Sequence, residues 1–231
     1  MKDEDNKSWW HKAKRFALWM FVFQFAYIIT LRWVNPPFTI TQVVSLARGY
    51  GLKRDYVSYS EMSKNAKLAV IAGEDQLFPD HNGFDVKAIK KAVKHNEKHP
   101  TRTRGASTIS QQVAKNVFLW QGGGFFRKGL EVYFTFMIEI FWSKKRILQM
   151  YLNVAEMGKG TFGIQAAATN LFNKNAIALS KNEAAQIAAS LPNPKVFTVK
   201  PLTRYVSSRA SNIARQMNNL QGDPEIAALI K

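Results

Sequence analysis

The sequence predicts a mostly α-helical protein in which one apolar helix near the N-terminus precedes a helical domain. Three observations predict this class. The run FALWMFVFQFAYIITL, residues 16–31, carries no charge, and Gln24 and Thr30 are its only clearly polar residues. Beyond residue 60, apolar residues recur at helical spacing behind Ser and Asp residues of the kind that cap helices. Strand signals are few, with YVSY at 56–59 the best of them.

The first element is the apolar run. Extended through Arg32 and Trp33 to Val34 it has 19 residues, roughly 28 Å as a helix, about one hydrocarbon core. Trp33 is placed to sit at an interface, and Pro36 and Pro37 stop the helix. Lys12, Lys14 and Arg15 precede the run and only Arg32 follows it, so the charge bias keeps the N-terminus in the cytoplasm. A cleaved signal peptide is the competitor, but LRWVNPP is a poor cleavage site. The expected organisation is a cytoplasmic tail at 1–15, a transmembrane anchor at 16–34, a linker and membrane-proximal segment at 35–59, and a domain at 60–231.

Composition narrows the partners. With 46% hydrophobic and 13% aromatic residues the chain is not disordered. There is no cysteine, so disulfide and thiolate chemistry are absent. Residues 1–15 carry five Lys/Arg against three Asp/Glu and Arg32 adds one, so +14 of the net +17 lies elsewhere, beyond the span. A soluble basic protein would suggest nucleic acid; a basic domain tethered outside a membrane suggests anionic headgroups or a phosphate-bearing substrate.

The domain then reads as a series of helices. MSKNAKLAVIAG is expected to end at Gly73. Asp85 caps DVKAIKKAVKHNEKH, with Ala88, Ile89, Ala92 and Val93 on one face. STISQQVAKNVFL follows with Ser107 as cap, then FRKGLEVYFTFMIEIFW, then SKKRILQMYLNVAEMG opened by Ser143. Ser180 and Glu183 fit a capping box, and TRYVSSRASNIARQMNNL is the last helix, stopped at Gly222 and Pro224. HPTRTRGAS and LWQGGGFF are loops; the second is apolar, and either packs on the core or dips into a lipid surface.

Polar residues of unusual type gather in four stretches. GEDQLFPDHNG, residues 73–83, packs Glu74, Asp75, Asp80 and His81 around a turn with Phe78 among them. RGASTISQQVAKN, residues 104–116, offers Arg104, Ser107, Gln111, Lys115 and Asn116, and Ser107, Gln111 and Lys115 share one helical face. RKGLE puts Arg127 and Lys128 one turn before Glu131, and KKRILQMYLN adds cations at 144–153. Taken alone, Lys128 and Glu131 are an ordinary surface pair, His81 a structural hydrogen bonder, and Asp75 an orienting or capping acid.

These four stretches, in this order, resemble the motifs of the peptidoglycan glycosyltransferases of family 51, which include a module of class A penicillin-binding proteins. The likeness covers roughly residues 60–220. No S-x-x-K or K-T-G is present, so the chain resembles the monofunctional, membrane-anchored form. The resemblance implies a lysozyme-like, two-lobed fold and a plasma (inner) membrane location with the domain outside, in the periplasm. It implies that the growing glycan is transferred from undecaprenyl pyrophosphate to the 4-hydroxyl of lipid II, with inversion to a β-1,4 linkage. Glu74 would be the base and Glu131 would assist at the pyrophosphate. Lys115, Arg127 and Lys128 would hold that pyrophosphate, with Arg104, Ser107, Gln111 and Asn116 lining the cleft. Asp75, Phe78 and His81 would support them. Gln149 replaces a frequent acid, and the final R-x-x-x-V-L motif is only loosely echoed at Arg209–Ala214; neither departure is expected to touch the chemistry.

No cofactor is expected. A divalent cation, Mg or Mn, at the substrate pyrophosphate is compatible but has no signature, since the only D-x-D, Asp3-Glu4-Asp5, lies on the wrong side of the membrane. The expected partners are lipid II, lipid-linked glycan, membrane lipids and other cell wall synthesis or division proteins, and not nucleic acid. Two other classes stay open: a lysozyme-like hydrolase, which would need a second well-placed carboxylate, and a non-catalytic wall-binding protein.

Overall fold

The computed structural model describes residues 2–101 and 105–231, so Arg104 lies outside the described residues. They divide into a unit ending at Pro36 and a second unit, Pro37–Lys231. The first is one helix, α1 (Lys2–Thr30). Phe16, Leu18, Trp19, Met20, Phe21, Val22 and Phe23 are all exposed, so its apolar surface wraps the helix instead of forming a stripe. The helix does not fill 16–34 as expected. It stops at Thr30, and Arg32 and Trp33 close a tight turn on Ile29 and Thr30. The helical part of the apolar run is therefore roughly 22 Å long. Among the described residues no helix is long and apolar enough to cross a membrane.

The second unit is mostly helical. It begins at Pro37 and so takes in most of the stretch 35–59. Here α2 (Ile40–Ala47) opens with a capping box between Thr39 and Gln42, and β1 (Lys53–Arg54) follows. The expected strand at 56–59 does not form. The carboxamide of Asn153 instead accepts from the Val57 N–H and donates to the Val57 carbonyl, replacing a neighbouring strand, and Tyr59 opens a 3-10 turn.

Helix α3 (Lys64–Glu74), capped by Ser63, is the centre of the domain: Ala66 to Ala72 are buried in unbroken succession. A helix buried on all sides shows no amphipathic stripe, which is why this segment reads as a plain apolar run. Next come α4 (Val86–Lys98), capped by Asp85 and without a buried residue, α5 (Ile109–Phe118), α6 (Phe125–Phe141) and α7 (Lys144–Val154). Thr108, not Ser107, caps α5, because its hydroxyl is the one that reaches the Gln111 N–H. Helix α7 ends at Val154 because the residues after it form β2 (Glu156–Gly158), which pairs antiparallel with β3 (Thr161–Phe162). β3 also pairs in parallel with β1, so the small sheet has the order β1-β3-β2.

Helices α8 (Ile164–Phe172), α9 (Lys181–Ser190) and α10 (Arg204–Leu220) follow. Pro224 does not only stop α10. With Asp223 as cap it starts a further helix, α11 (Pro224–Ile230), because proline suits the first helical position. Two packed groups result: α3 against α9 and α10, and α5 against α6 and α7. The C-terminal end of α3 lies where the two groups meet.

Candidate active site

Glu74 is the last residue of α3, and Asp75 leaves the helical conformation immediately after it. The two neighbouring carboxylates therefore point to different surroundings. Gln112 Nε2 donates to one Glu74 oxygen at 2.9 Å, and Arg209 Nη2 approaches the other at 3.3 Å. The Tyr151 hydroxyl donates to Gln112 Oε1 at 3.1 Å, which fixes the amide so that its NH₂ faces Glu74. Arg209 also donates to the Gly73 carbonyl at 3.0 Å. Burial holds the Glu74 pKa above the usual carboxylate value; Gln112 and Arg209 pull it back part of the way. Glu74 is thus a desolvated carboxylate of fixed orientation, suited to taking a proton.

Asp75 does a different job. It is buried, its carboxylate accepts the Ile109 N–H at 3.0 Å, and both its oxygens lie 3.0 Å from His81 Nε2. The Gly83 N–H donates to His81 Nδ1 at 3.1 Å, so the ring proton sits on Nε2 and is given to Asp75. Phe78 is fully buried against the edge of the His81 ring. Gly83 has φ +88°, and a Cβ there would meet Thr135 Cγ2 at 2.7 Å, so this turn requires glycine. Thr108 Oγ1 donates to the Gly83 carbonyl at 2.7 Å, and Lys144 Nζ donates to the His81 carbonyl. Asp75, Phe78 and His81 therefore tie the turn to the starts of α5 and α7, and the Asp75 charge adds to the upward push on the Glu74 pKa.

The cationic part lies on α5 and α6. Glu131 is buried and bridged by Arg127 Nη1 and Lys128 Nζ, each at 2.5 Å. Lys128 is 46% exposed, so its ammonium can be drawn to an arriving anion. Burial holds the Lys115 pKa below the usual lysine value; Glu131 and Glu74 raise it, and Arg127 and Lys128 lower it. Lys115 therefore stands within the fields of both the cationic cluster and Glu74. With Gln112, Asn116, Tyr151, Glu156 and Asn193 it lines a cavity of about 260 Å³. Among the described residues no three His, Asp or Glu side chains converge as metal ligands.

The structure corrects two expectations. Gln111 does not line the cleft: it is buried, and its side chain accepts from the Thr108 N–H in the α5 capping box. Ser107 is exposed, one residue before that cap, a position compatible with the edge of a cleft. Arg209, expected not to touch the chemistry, is the cation beside Glu74, while Gln149 accepts from Arg146 at 2.8 Å. Gln112, Tyr151 and Arg209 are the site residues that sequence reasoning missed. One signal could have found Gln112: it shares a helical face with Lys115 and Asn116 at i, i+3 and i+4.

Comparison with known proteins is consistent across the chain. Residues 41–218 match the transglycosylase family. The biosynthetic peptidoglycan transglycosylase of Pseudomonas entomophila (strain L48) is 48% identical over 217 residues, 91% of this chain and 92% of that protein. That of Pseudomonas syringae pv. tomato is 47% identical over 218 residues, 92% of each chain. The Escherichia coli (strain ATCC 8739) protein of the same name is 55% identical over 175 residues, 76% of this chain and 72% of that protein.

Proposed function

The chain belongs to the transglycosylase family, and we propose that Glu74 is the base with which it joins sugars into glycan strands. It is a peptidoglycan glycosyltransferase, acts in the cell envelope, and uses lipid II and glycan as substrates. The observation that carries the proposal is the pairing of one oriented, buried carboxylate with a separate cationic cluster that Lys115 connects to it.

In the proposed step the 4-hydroxyl oxygen of the acceptor sugar attacks C1 of the donor sugar. A new C1–O bond forms as the bond from C1 to pyrophosphate breaks, and the electron pair of that bond leaves on the phosphate oxygen. Glu74 accepts the hydroxyl proton. A single displacement converts an α-linked donor to a β-1,4 product. Pyrophosphate leaves well once its growing charge is met, so the donor side needs cations more than an acid. Lys115, Arg127 and Lys128 fill that role, with Asn116 on the cavity wall. Glu131 holds Arg127 and Lys128 ready, one on each of its oxygens, which suits it to positioning cations. The reading needs no cofactor. A Mg or Mn ion that used Glu131 would have to compete with Arg127 and Lys128 for it.

Lys128→Ala tests the cationic role. Turnover should fall about tenfold or more and the lipid II requirement should rise with it, because charge on the pyrophosphate grows toward the transition state. A variant that lost only affinity for anionic liposomes, with unchanged turnover, would remove Lys128 from the site.

We further propose that the N-terminal unit fastens the enzyme to the plasma (inner) membrane with its N-terminus in the cytoplasm and the second unit outside. The apolar residues around α1 support this, together with the extra hydrophobic length of residues 31–34. Membrane lipids and other wall-synthesis proteins are the partners this location suggests. Deleting residues 1–35 should lower activity on lipid II in bilayers by about tenfold or more, since tethering confines enzyme and substrate to one plane. Activity on short-chain lipid II analogues in detergent should change little. An equal loss in both settings would show that the segment supports the fold or the cleft, not the tether.

A further inference from the structure

Glu131, Thr135 and Glu139 form one i, i+4, i+8 ridge on α6. Glu139 lies roughly 12 Å further along the helix axis than Glu131. The ridge is turned inward: Glu131 and Thr135 are buried, and the Glu139 side chain is 7% exposed. A carboxylate so far out of water needs partners. One Glu139 oxygen accepts from Ser110 Oγ on α5 and from Lys144 Nζ, 2.8 Å away at the start of α7. Lys144 also donates to the His81 carbonyl and sits over the Phe78 ring, 4.7 Å from its centre. The turn that follows α3 rests on the same ridge. A Cβ on Gly83 would meet Thr135 at 2.7 Å and Glu139 at 3.0 Å.

One carboxylate thus joins four elements, and each of them brings a part of the candidate site. The turn follows directly on Glu74, α5 carries Gln112 and Lys115, α7 carries Tyr151, and α6 carries Arg127 and Lys128. An exposed ion pair would be a weak tie. This one is largely buried and its acid also takes a hydroxyl, so removing either partner leaves the other uncompensated. We infer that Glu139 is a positioning residue for glycan transfer. It holds the turn that begins at Glu74 against the helix that carries the pyrophosphate cations, and so sets the separation of base and leaving group. The inference rests on the roles given to Glu74, Arg127 and Lys128. Binding draws on each group of contacts separately, whereas the transition state needs both at once. A misplacement of about 1 Å between them can cost ~10²-fold in rate, with little change in affinity.

The test uses the full chain in detergent with lipid II, at a temperature well below the melting midpoint of every variant. Glu139→Gln keeps an acceptor for Ser110 and removes the charge that holds Lys144. It should lower kcat about tenfold or more and leave KM within about twofold, and its midpoint should fall because a cation is left unpaired. Lys144→Met should do the same from the other side, and Lys144→Arg, which keeps the charge, should recover part of the turnover. The double variant Glu139→Gln/Lys144→Met separates positioning from support of the fold. It leaves no unpaired charge, so its midpoint should return toward the wild type. The tie to the His81 carbonyl is gone, so kcat should stay low. A kcat that recovers with the midpoint overturns the inference alone, as does a kcat within about twofold of wild type in Glu139→Gln. If the midpoint of the double variant stays low, the split between kcat and KM decides: a rise in KM as large as the fall in kcat also overturns it. Normal transfer by Glu74→Gln in the same assay would overturn both the inference and the reading of the base.

Discussion

Glu74→Gln is expected to abolish glycan polymerisation, lowering turnover by about 10²- to 10⁴-fold while lipid II still binds. The substitution keeps the size of the side chain and removes its capacity to accept a proton. Gln112 and Arg209 remain in place to hold the replacement, so the loss falls on chemistry and not on the fold. The wild-type pH profile checks the same assignment. A base works when ionised, and burial raises the Glu74 pKa. Activity should therefore be full at higher pH and fall as pH drops through a value above the ordinary carboxylate range. Arg209 pulls that pKa down, so Arg209→Met should move the fall to higher pH. Near-normal turnover in Glu74→Gln, or a profile that Arg209→Met does not move, would take Glu74 out of the role.

Asp75→Ala is expected to cost about 3 kcal/mol of stability, through one buried and one largely buried group left unpaired. One is the N–H of Ile109 at the start of α5, the other the Nε2–H of His81. For a domain of this size the melting midpoint should fall by roughly 6–12 °C. Activity should fall as well, because α5 carries Gln112 and Lys115 into the site. Asp75→Asn keeps one acceptor and should lose less. Thermal unfolding of the three proteins decides the point: an unchanged midpoint in Asp75→Ala would show that the turn is held by other contacts, and a catalytic part for Asp75 would return to consideration.

Much of the candidate site's geometry was legible because its members are neighbours in the chain. Glu74 and Asp75 adjoin, and Arg127, Lys128 and Glu131 fall within one helical turn, so the ion pairs at 2.5 Å need only that α6 be helical. Gln111 and Gln112 mark the limit of such reasoning. They differ by about 100° of helical rotation, and adjacent glutamines look alike in a sequence. The packing of α5 against α6 and α7 turns Gln112 toward Glu74, while local capping chemistry takes Gln111 for Thr108.

The chain by itself determined what short-range chemistry determines. Ser63, Asp85, Ser143, Ser180 and Asp223 each cap a helix whose first N–H groups lie within three residues of them, and no distant contact is needed. The apolar run before Pro36 and the acidic turn after α3 are of the same kind. The tertiary structure alone decided the small sheet, in which Lys53 pairs with Thr161 across more than a hundred residues, and the docking of Asn153 on Val57 in place of a strand. It also decided the surroundings of Glu74. Arg209 follows it by 135 residues and Tyr151 belongs to another helix. Their approach depends on how buried surfaces of α3, α5, α7 and α10 pack. The raised pKa of Glu74 arises from that burial, which no spacing along the chain encodes.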